Sequence, residues 1–96
     1  MGRLTTMLVY QICFALGDPI RFEIIRKLTK QGPENMTKLG EGIKVTRQAV
    51  AQHVSVLENA RLVRREKVGR EVIVSVEPAT LEALSKHLAS MIPTKG

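Results

Sequence analysis

Tryptophan is absent, and Tyr10, Phe14 and Phe22 are the only aromatic residues in the chain. Proteins that hold single-stranded nucleic acid stack bases on several aromatic rings, so the scarcity argues against an RNA-recognition sheet or a similar platform. It leaves a reader of duplex DNA untouched, because such a reader needs Arg, Gln, Ser and Thr on a helix. The single cysteine, Cys13, cannot form an intrachain disulfide, which fits a reducing, cytoplasmic setting. No apolar run reaches the ~18 residues of a membrane span and no signal peptide is evident, so no membrane partner is expected. No nucleophile–base pair, Gly-rich phosphate loop or carboxylate pair occurs, and His53 and His87 belong to separate segments, so no enzyme is expected. Two short modification patterns, Met1-Gly2 with Thr6 and Asn35-Met36-Thr37, arise readily by chance and carry no weight.

What the chain has is positive charge in one place. Its net charge is +6, and from Lys38 to Arg70 eight Lys or Arg stand against three Glu, an excess of five. Such a balance favours an anionic partner, either nucleic acid or an acidic membrane face.

Ninety-six residues make one domain spanning 1–96, with a modest core that a partner subunit often enlarges. Residues 4–16 read as a helix that is apolar on almost every side. Leu4, Leu8, Ile12 and Leu16 form one stripe, and Met7, Val9, Tyr10 and Phe14 spread around the rest. The chain's own core can cover one side, and a second subunit is the natural cover for the other. Gly17 breaks the pattern, and Asp18-Pro19 opens a second helix lined by Ile20, Ile24 and Leu28, with Phe22 and Ile25 beside them. Gly32-Pro33 ends it.

A short third helix spans about 36–42, capped by Asn35, with Met36, Leu39 and Ile43 inward. After the tight turn Lys44-Val45, Thr46 caps a fourth helix over about 47–60, whose apolar stripe is Val50, Val54 and Leu57. Two helices joined by so short a turn are a helix-turn-helix candidate, and Gly40 suits the place where they cross. Alternation with period two then sets Val72, Val74 and Val76 against Glu71, Ile73 and Ser75. Residues 62–67 supply the partner strand and Gly69 the turn. Pro78 opens a last helix, about 79–92, with Leu81, Leu84, Leu88 and Met91 on one side. The predicted fold is mainly α (α+β): a winged helix-turn-helix of five helices and a two-stranded β-hairpin wing, in the order α-α-α-α-β-β-α.

Opposite its apolar stripe the fourth helix carries Arg47, Gln48, Ala51, Gln52 and Ser55. Arg can fork onto guanine, Gln onto adenine, and Ala51 can touch a thymine methyl. Recognition helices use their N-terminal half for bases, and there the Thr46 hydroxyl and the free amides also favour a phosphate. An ordinary solvated helix face is the plain alternative; the short preceding turn and the basic hairpin decide for DNA. The hairpin carries Arg64, Arg65, Lys67 and Arg70. Edge strands often hold charge against aggregation, but that does not explain the bias to one sign. Lys67 and Arg70 at the tip suit phosphate or minor-groove contact.

Four linked segments carry a family resemblance: Ala15-Leu16-Gly17-Asp18-Pro19-Ile20-Arg21, Thr46 to Val54, Val56-Leu57-Glu58, and Val68-Gly69-Arg70-Glu71-Val72. Over about residues 5–90 the chain resembles the ArsR-type bacterial repressors. The resemblance implies a homodimer held by the first and last helices, an imperfectly palindromic operator, and repression relieved by a signal. Leu4, Leu8, Ile12, Leu84, Leu88 and Met91 are then the expected dimer contacts. Lys44, Thr46, Arg47, Gln48, Ala51, Gln52, Ser55, Arg65, Lys67 and Arg70 are the expected DNA contacts.

Many relatives sense metals, but Met36 to Gly42 has no Cys-x-Cys pair, and the last helix offers His87 with Glu77 and Glu82 as stray carboxylates. Metal sites need three or four converging ligands. No metal and no cofactor is therefore expected, and the chain looks closer to the metal-independent members. His53 reads as a hydrogen-bonded structural residue, and Cys13 as a small core hydrophobe. The family usually has Gly where Lys44 and Arg61 stand; a left-handed backbone there would cost ~1 kcal/mol at each. Two other readings stay open: a winged-helix module that binds a protein or RNA, and a repressor responsive to redox state or metal.

Overall fold

Side-chain caps set the start of four of the five helices among the described residues. The computed structural model describes residues 5–94. The Leu8 N–H donates to Thr5 Oγ1 at 3.1 Å and opens α1 (Thr6–Leu16). Asp18 Oδ2 accepts from the N–H groups of Ile20 and Arg21, at 2.9 and 3.1 Å, at the head of α2 (Pro19–Gln31). Asn35 Oδ1 takes the Lys38 N–H at 2.7 Å for α3 (Met36–Ile43), and Thr46 Oγ1 takes that of Ala49 at 3.0 Å for α4 (Arg47–Asn59). Each cap satisfies an amide that its helix leaves free, a contribution of about 1 kcal/mol. The last helix, α5 (Pro78–Ala89), has no side-chain cap and begins on the fixed backbone of Pro78.

Three strands complete the fold: β1 (Glu34–Asn35), β2 (Val63–Val68) and β3 (Glu71–Val76), antiparallel in the order β1-β3-β2. The winged helix-turn-helix is therefore as expected, with one addition. β1 pairs Glu34 with Val74 and Asn35 with Ile73. Two residues are too few to show alternation, and Asn35 also caps α3, so the segment reads only as a helix start. Element ends shift slightly. The first helix starts at Thr6 rather than residue 4 because Thr5 is extended and caps it. Leu4 lies outside the described residues. The last helix ends at Ala89 rather than 92, since the Met91 and Ile92 amides close tighter turns onto Leu88 and Ala89 carbonyls.

Ile12, Ile24, Leu39, Val50, Val54, Leu57, Leu62, Val63 and Val74 form the enclosed centre of the core. Phe22, expected at its edge, is half exposed instead. The α3–α4 corner is tight. A Cβ on Gly40 would lie 3.2 Å from Val50 Cγ1, so a side chain there would press on α4 and Val50 would have to give by a few tenths of an ångström. Lys44 closes α3 with φ 67°, its N–H donating to the Gly40 carbonyl at 2.8 Å. The β2–β3 hairpin closes at the Val68–Glu71 pair, leaving Gly69-Arg70 as a two-residue turn with Gly69 at φ 63°. A positive φ at the first turn residue matches the II′ geometry that suits strand twist.

Candidate nucleic-acid interface

Burial of Val50, Val54 and Leu57 fixes which way α4 faces. All three are fully enclosed, so Arg47, Gln48 and Gln52 stand exposed on the opposite side, with Ala51 and Ser55 half-buried between them. Thr46 Oγ1 accepts the Ala49 amide with one of its two lone pairs and keeps its O–H to donate. Lys44 is exposed just before it. An open groove of about 490 Å³ runs beside this face, bounded by Arg21, Gln48, Gln52 and Ser55. The sequence-predicted base readers thus share one surface, with Lys44 and Thr46 at its N-terminal end.

The wing divides its cations. The strand register places Val63, Arg65 and Lys67 on one face with Val72, Val74 and Val76, and Arg64 and Glu66 on the other. Arg65 turns toward α4 and binds Glu58, Nε to Oε1 at 2.9 Å and Nη2 to Oε1 at 2.7 Å. Arg64 lies 3.9 Å from Glu77 Oε2. Among the described residues, Lys44, Arg47, Lys67 and Arg70 have no carboxylate partner within ion-pair distance. Arg65, grouped with the DNA contacts on sequence, thus braces the wing against the recognition helix. Both partners are about one-third exposed, so the pair contributes at most about 1 kcal/mol.

A further cluster sits between α1, α2 and α4. Arg21 Nε donates to the Ala15 carbonyl at 2.8 Å and Nη2 to the Phe14 carbonyl at 3.4 Å, while Nη1 lies 3.3 Å from His53 Nδ1. His53 is thereby held by hydrogen bonding, in keeping with its structural reading. Asp18 Oδ2 is 4.0 Å from the same ring nitrogen. The backbone N–H of Arg21, more than any other group, holds the Asp18 carboxyl below the ordinary aspartate range. Partial desolvation opposes it, and the Arg21 guanidinium, the Ile20 N–H and His53 assist. Sequence reasoning passed over Arg21 because its partner on α4 lies 32 residues away.

The model of the bacterial regulatory proteins of the arsR family matches residues 18–65, half of the chain. The chain belongs to the ArsR family. It is 36% identical over 74 residues to the HTH-type transcriptional regulator Rv2034 of Mycobacterium tuberculosis, covering 77% of this chain and 68% of that protein. Among solved structures it is similar to an ArsR-like transcriptional regulator from Rhodococcus sp. RHA1, with TM-score 0.81, 29% identity, and coverage of 88% and 79% of the two chains. The transcriptional repressor PagR of Bacillus anthracis shares the fold, with TM-score 0.69 and 20% identity over 84% of this chain and 93% of that one. This ArsR-family chain is a transcriptional regulator, which implies DNA binding.

The regulator's end helices differ from expectation. α1 turns Val9, Ile12 and Ala15 inward and leaves Met7, Tyr10 and Phe14 at 68%, 66% and 69% exposure. Ile12, expected at a subunit contact, is enclosed in its own protomer's core, as is Leu84 of α5; Leu8 is half-buried. For Ile12 the cause is simple: a helix apolar all round offers several inward faces, and periodicity alone cannot choose among them. Leu88 of α5 and Met91 and Ile92 just beyond its end are exposed, beside an apolar groove of about 620 Å³. Cys13 is exposed rather than in the core. Among the described residues no three His, Cys, Asp or Glu side chains converge as a metal site would need, and no helix is long and apolar enough to cross a membrane.

Proposed function

We propose that this regulator is a homodimeric repressor that reads a palindromic operator with two copies of α4, without a metal. The carrying observation is the exposed Arg47, Gln48 and Gln52 face of a helix whose opposite stripe is fully enclosed. Arg47 would fork onto a guanine, Gln48 and Gln52 onto adenines, and Ala51 would meet a thymine methyl. Lys44, Thr46 and Ser55 flank these on the helix side, and Lys67 and Arg70 reach phosphates or the minor groove from the wing. Arg65 supports the wing through Glu58.

The dimer seam is formed by the exposed apolar residues at the two ends of the chain: Met7, Tyr10 and Phe14 on α1, and Leu88 on α5 with Met91 and Ile92 in the turns that follow it. Patches of this kind on a small protein mark interaction surfaces. Two-fold pairing sets the recognition helices about 34 Å apart, on successive major-groove turns.

Selection of bound sites from random duplex DNA tests the reading. The expected product is a gapped palindrome, recovered equally with zinc and with chelator. Sites without shared sequence would indicate a module that uses its charge on another partner. A palindrome that disappears with zinc or with oxidant would replace the metal-independent reading by a metal-responsive one, or by one acting through exposed Cys13.

A further inference from the structure

The Arg21 guanidinium joins the two surfaces that the proposed function uses. We propose that Arg21 is a positioning residue: it fixes the angle between α1 and α4, and so the spacing at which a dimer presents its recognition helices. The inference rests on the homodimer reading above. One planar group meets the last turn of α1 through the Ala15 and Phe14 carbonyls, at 2.8 and 3.4 Å, and the middle of α4 through His53 Nδ1 at 3.3 Å. Its carbon also lies 5.2 Å from the centre of the Phe14 ring, which is on the exposed apolar side of α1. His53 follows Gln52, one of the base readers, on α4.

Physical chemistry makes this contact a clamp rather than a casual neighbour. The last carbonyls of a helix lack intrahelical partners and carry the negative end of its dipole, so a cation there is doubly favoured. A guanidinium holds its donors in a rigid fork, so its acceptors are held at fixed relative positions. It has no acceptor of its own. His53 Nδ1 must therefore be the lone-pair nitrogen, with the ring proton on Nε2, an assignment that follows from the partner's chemistry. Asp18 fixes the base of the clamp by accepting the Arg21 backbone N–H at 3.1 Å. Shared apolar core packing also joins α1 and α4, and the clamp adds a directional contact to it. A groove of about 220 Å³, lined by Gln11, Phe14, Val56, Asn59 and Ala60, separates the outer parts of α1 and α4.

The test uses the full chain as wild type, Arg21→Gln, His53→Asn and His53→Leu. Each is offered duplex libraries in which two half-sites are separated by spacers of varied length, with dimer mass followed by sedimentation and salt dependence measured on one site. Wild type is expected to be dimeric and to select one spacing. Arg21→Gln is expected to remain dimeric and to spread over several spacings. It should lose about tenfold in affinity at the wild-type spacing, the size of a typical coupling between sites, at an unchanged salt slope. His53→Asn, whose Oδ1 replaces the acceptor nitrogen, should keep the wild-type spacing, and His53→Leu should lose it.

A dimeric Arg21→Gln with the same sharp spacing preference overturns the inference alone. So does a salt slope reduced by about 0.9 per lost phosphate, which would make Arg21 a direct backbone contact. If Arg21→Gln does not fold, equal spacing preference in the two His53 variants overturns the inference by itself. A wild type that is monomeric overturns the homodimer reading and this inference with it.

Discussion

α1 and α4 solve the same packing problem and leave opposite remainders. Each turns one stripe into the core: Val9, Ile12 and Ala15 from α1, and Val50, Val54 and Leu57 from α4. On the other side α4 shows Arg47, Gln48 and Gln52, whereas α1 shows Met7, Tyr10 and Phe14. The polar remainder is stable in water until an anionic surface replaces that water. The apolar remainder is not, because three large side chains gain free energy from any cover that removes them from solvent. Complete burial of one stripe therefore does not say whether a helix is finished. The residue types left outside say that, and they assign α4 to DNA and α1 to a second subunit in the proposed function.

The largest expected effect breaks the α1 half of this contrast. Tyr10→Glu removes an apolar contact that a two-fold seam uses twice. At about 1.5–3 kcal/mol for each buried side chain, dimerisation should weaken by roughly 3–6 kcal/mol. The folded protomer should change little, since Tyr10 is largely exposed in it. Sedimentation equilibrium across a wide protein concentration range measures the shift, and an unaltered monomer–dimer equilibrium would move the seam elsewhere. The matching change on α4 is Gln52→Ala, with an expected loss of about 1–3 kcal/mol at one base position per half-site. Binding to a panel of operators substituted one base pair at a time resolves it. A loss spread evenly over every position would assign Gln52 to the backbone instead.

Much of the α4 side was legible in the chain itself. The Val50–Val54–Leu57 spacing, the Thr46 cap, the Gly40 crossing and the Gly69 turn are local patterns, and local patterns survive without a partner segment in view. What escaped was set by contacts between separate elements. β1 exists because Glu34 and Asn35 meet Val74 and Ile73. Ile12 is in the core because α1 packs with that face inward, a choice that its all-round apolarity leaves open. Arg65 is diverted to Glu58 across the α4–β2 turn, and Arg21 to His53 across 32 residues. Charge counting registers these arginines as free cations, and only topology shows which of them are already engaged.

The ends of the two helices extend the contrast at a smaller scale. α1 is bounded by Thr5 and Gly17, both at negative φ. α4 is flanked by two side-chain-bearing residues in the left-handed region, Lys44 at φ 67° and Arg61 at φ 62°. Each carries a strain of about 1 kcal/mol that glycine would not. Arg61→Gly should therefore raise the stability of the protomer by up to about 1 kcal/mol in denaturant unfolding, offset in part by the loss of a cation at the α4 C-terminus. It should also weaken operator binding at high salt. Salt dependence identical to wild type would leave Arg61 without a part in DNA binding.

The caps differ in one more respect, and it predicts the smallest effect. Thr46, at the head of α4, does not titrate. Asp18, just beyond α1, does, and its folded carboxyl is held below the ordinary aspartate range by the Arg21 backbone N–H before any other cause. A group whose pKa is depressed on folding adds stability that is fully present above its unfolded value, near 3.9, and is lost as pH falls through the folded one. Asn caps a helix about as well as Asp but carries no charge. Asp18→Asn should consequently melt slightly below wild type at pH 6, and the gap should close as the solution is taken below about pH 4. Melting temperatures of the two proteins across that range decide the matter. A gap of constant size from pH 6 to pH 2 would mean that the Asp18 charge has no part in holding the α1–α2 corner, and that its hydrogen-bonded cap alone does so.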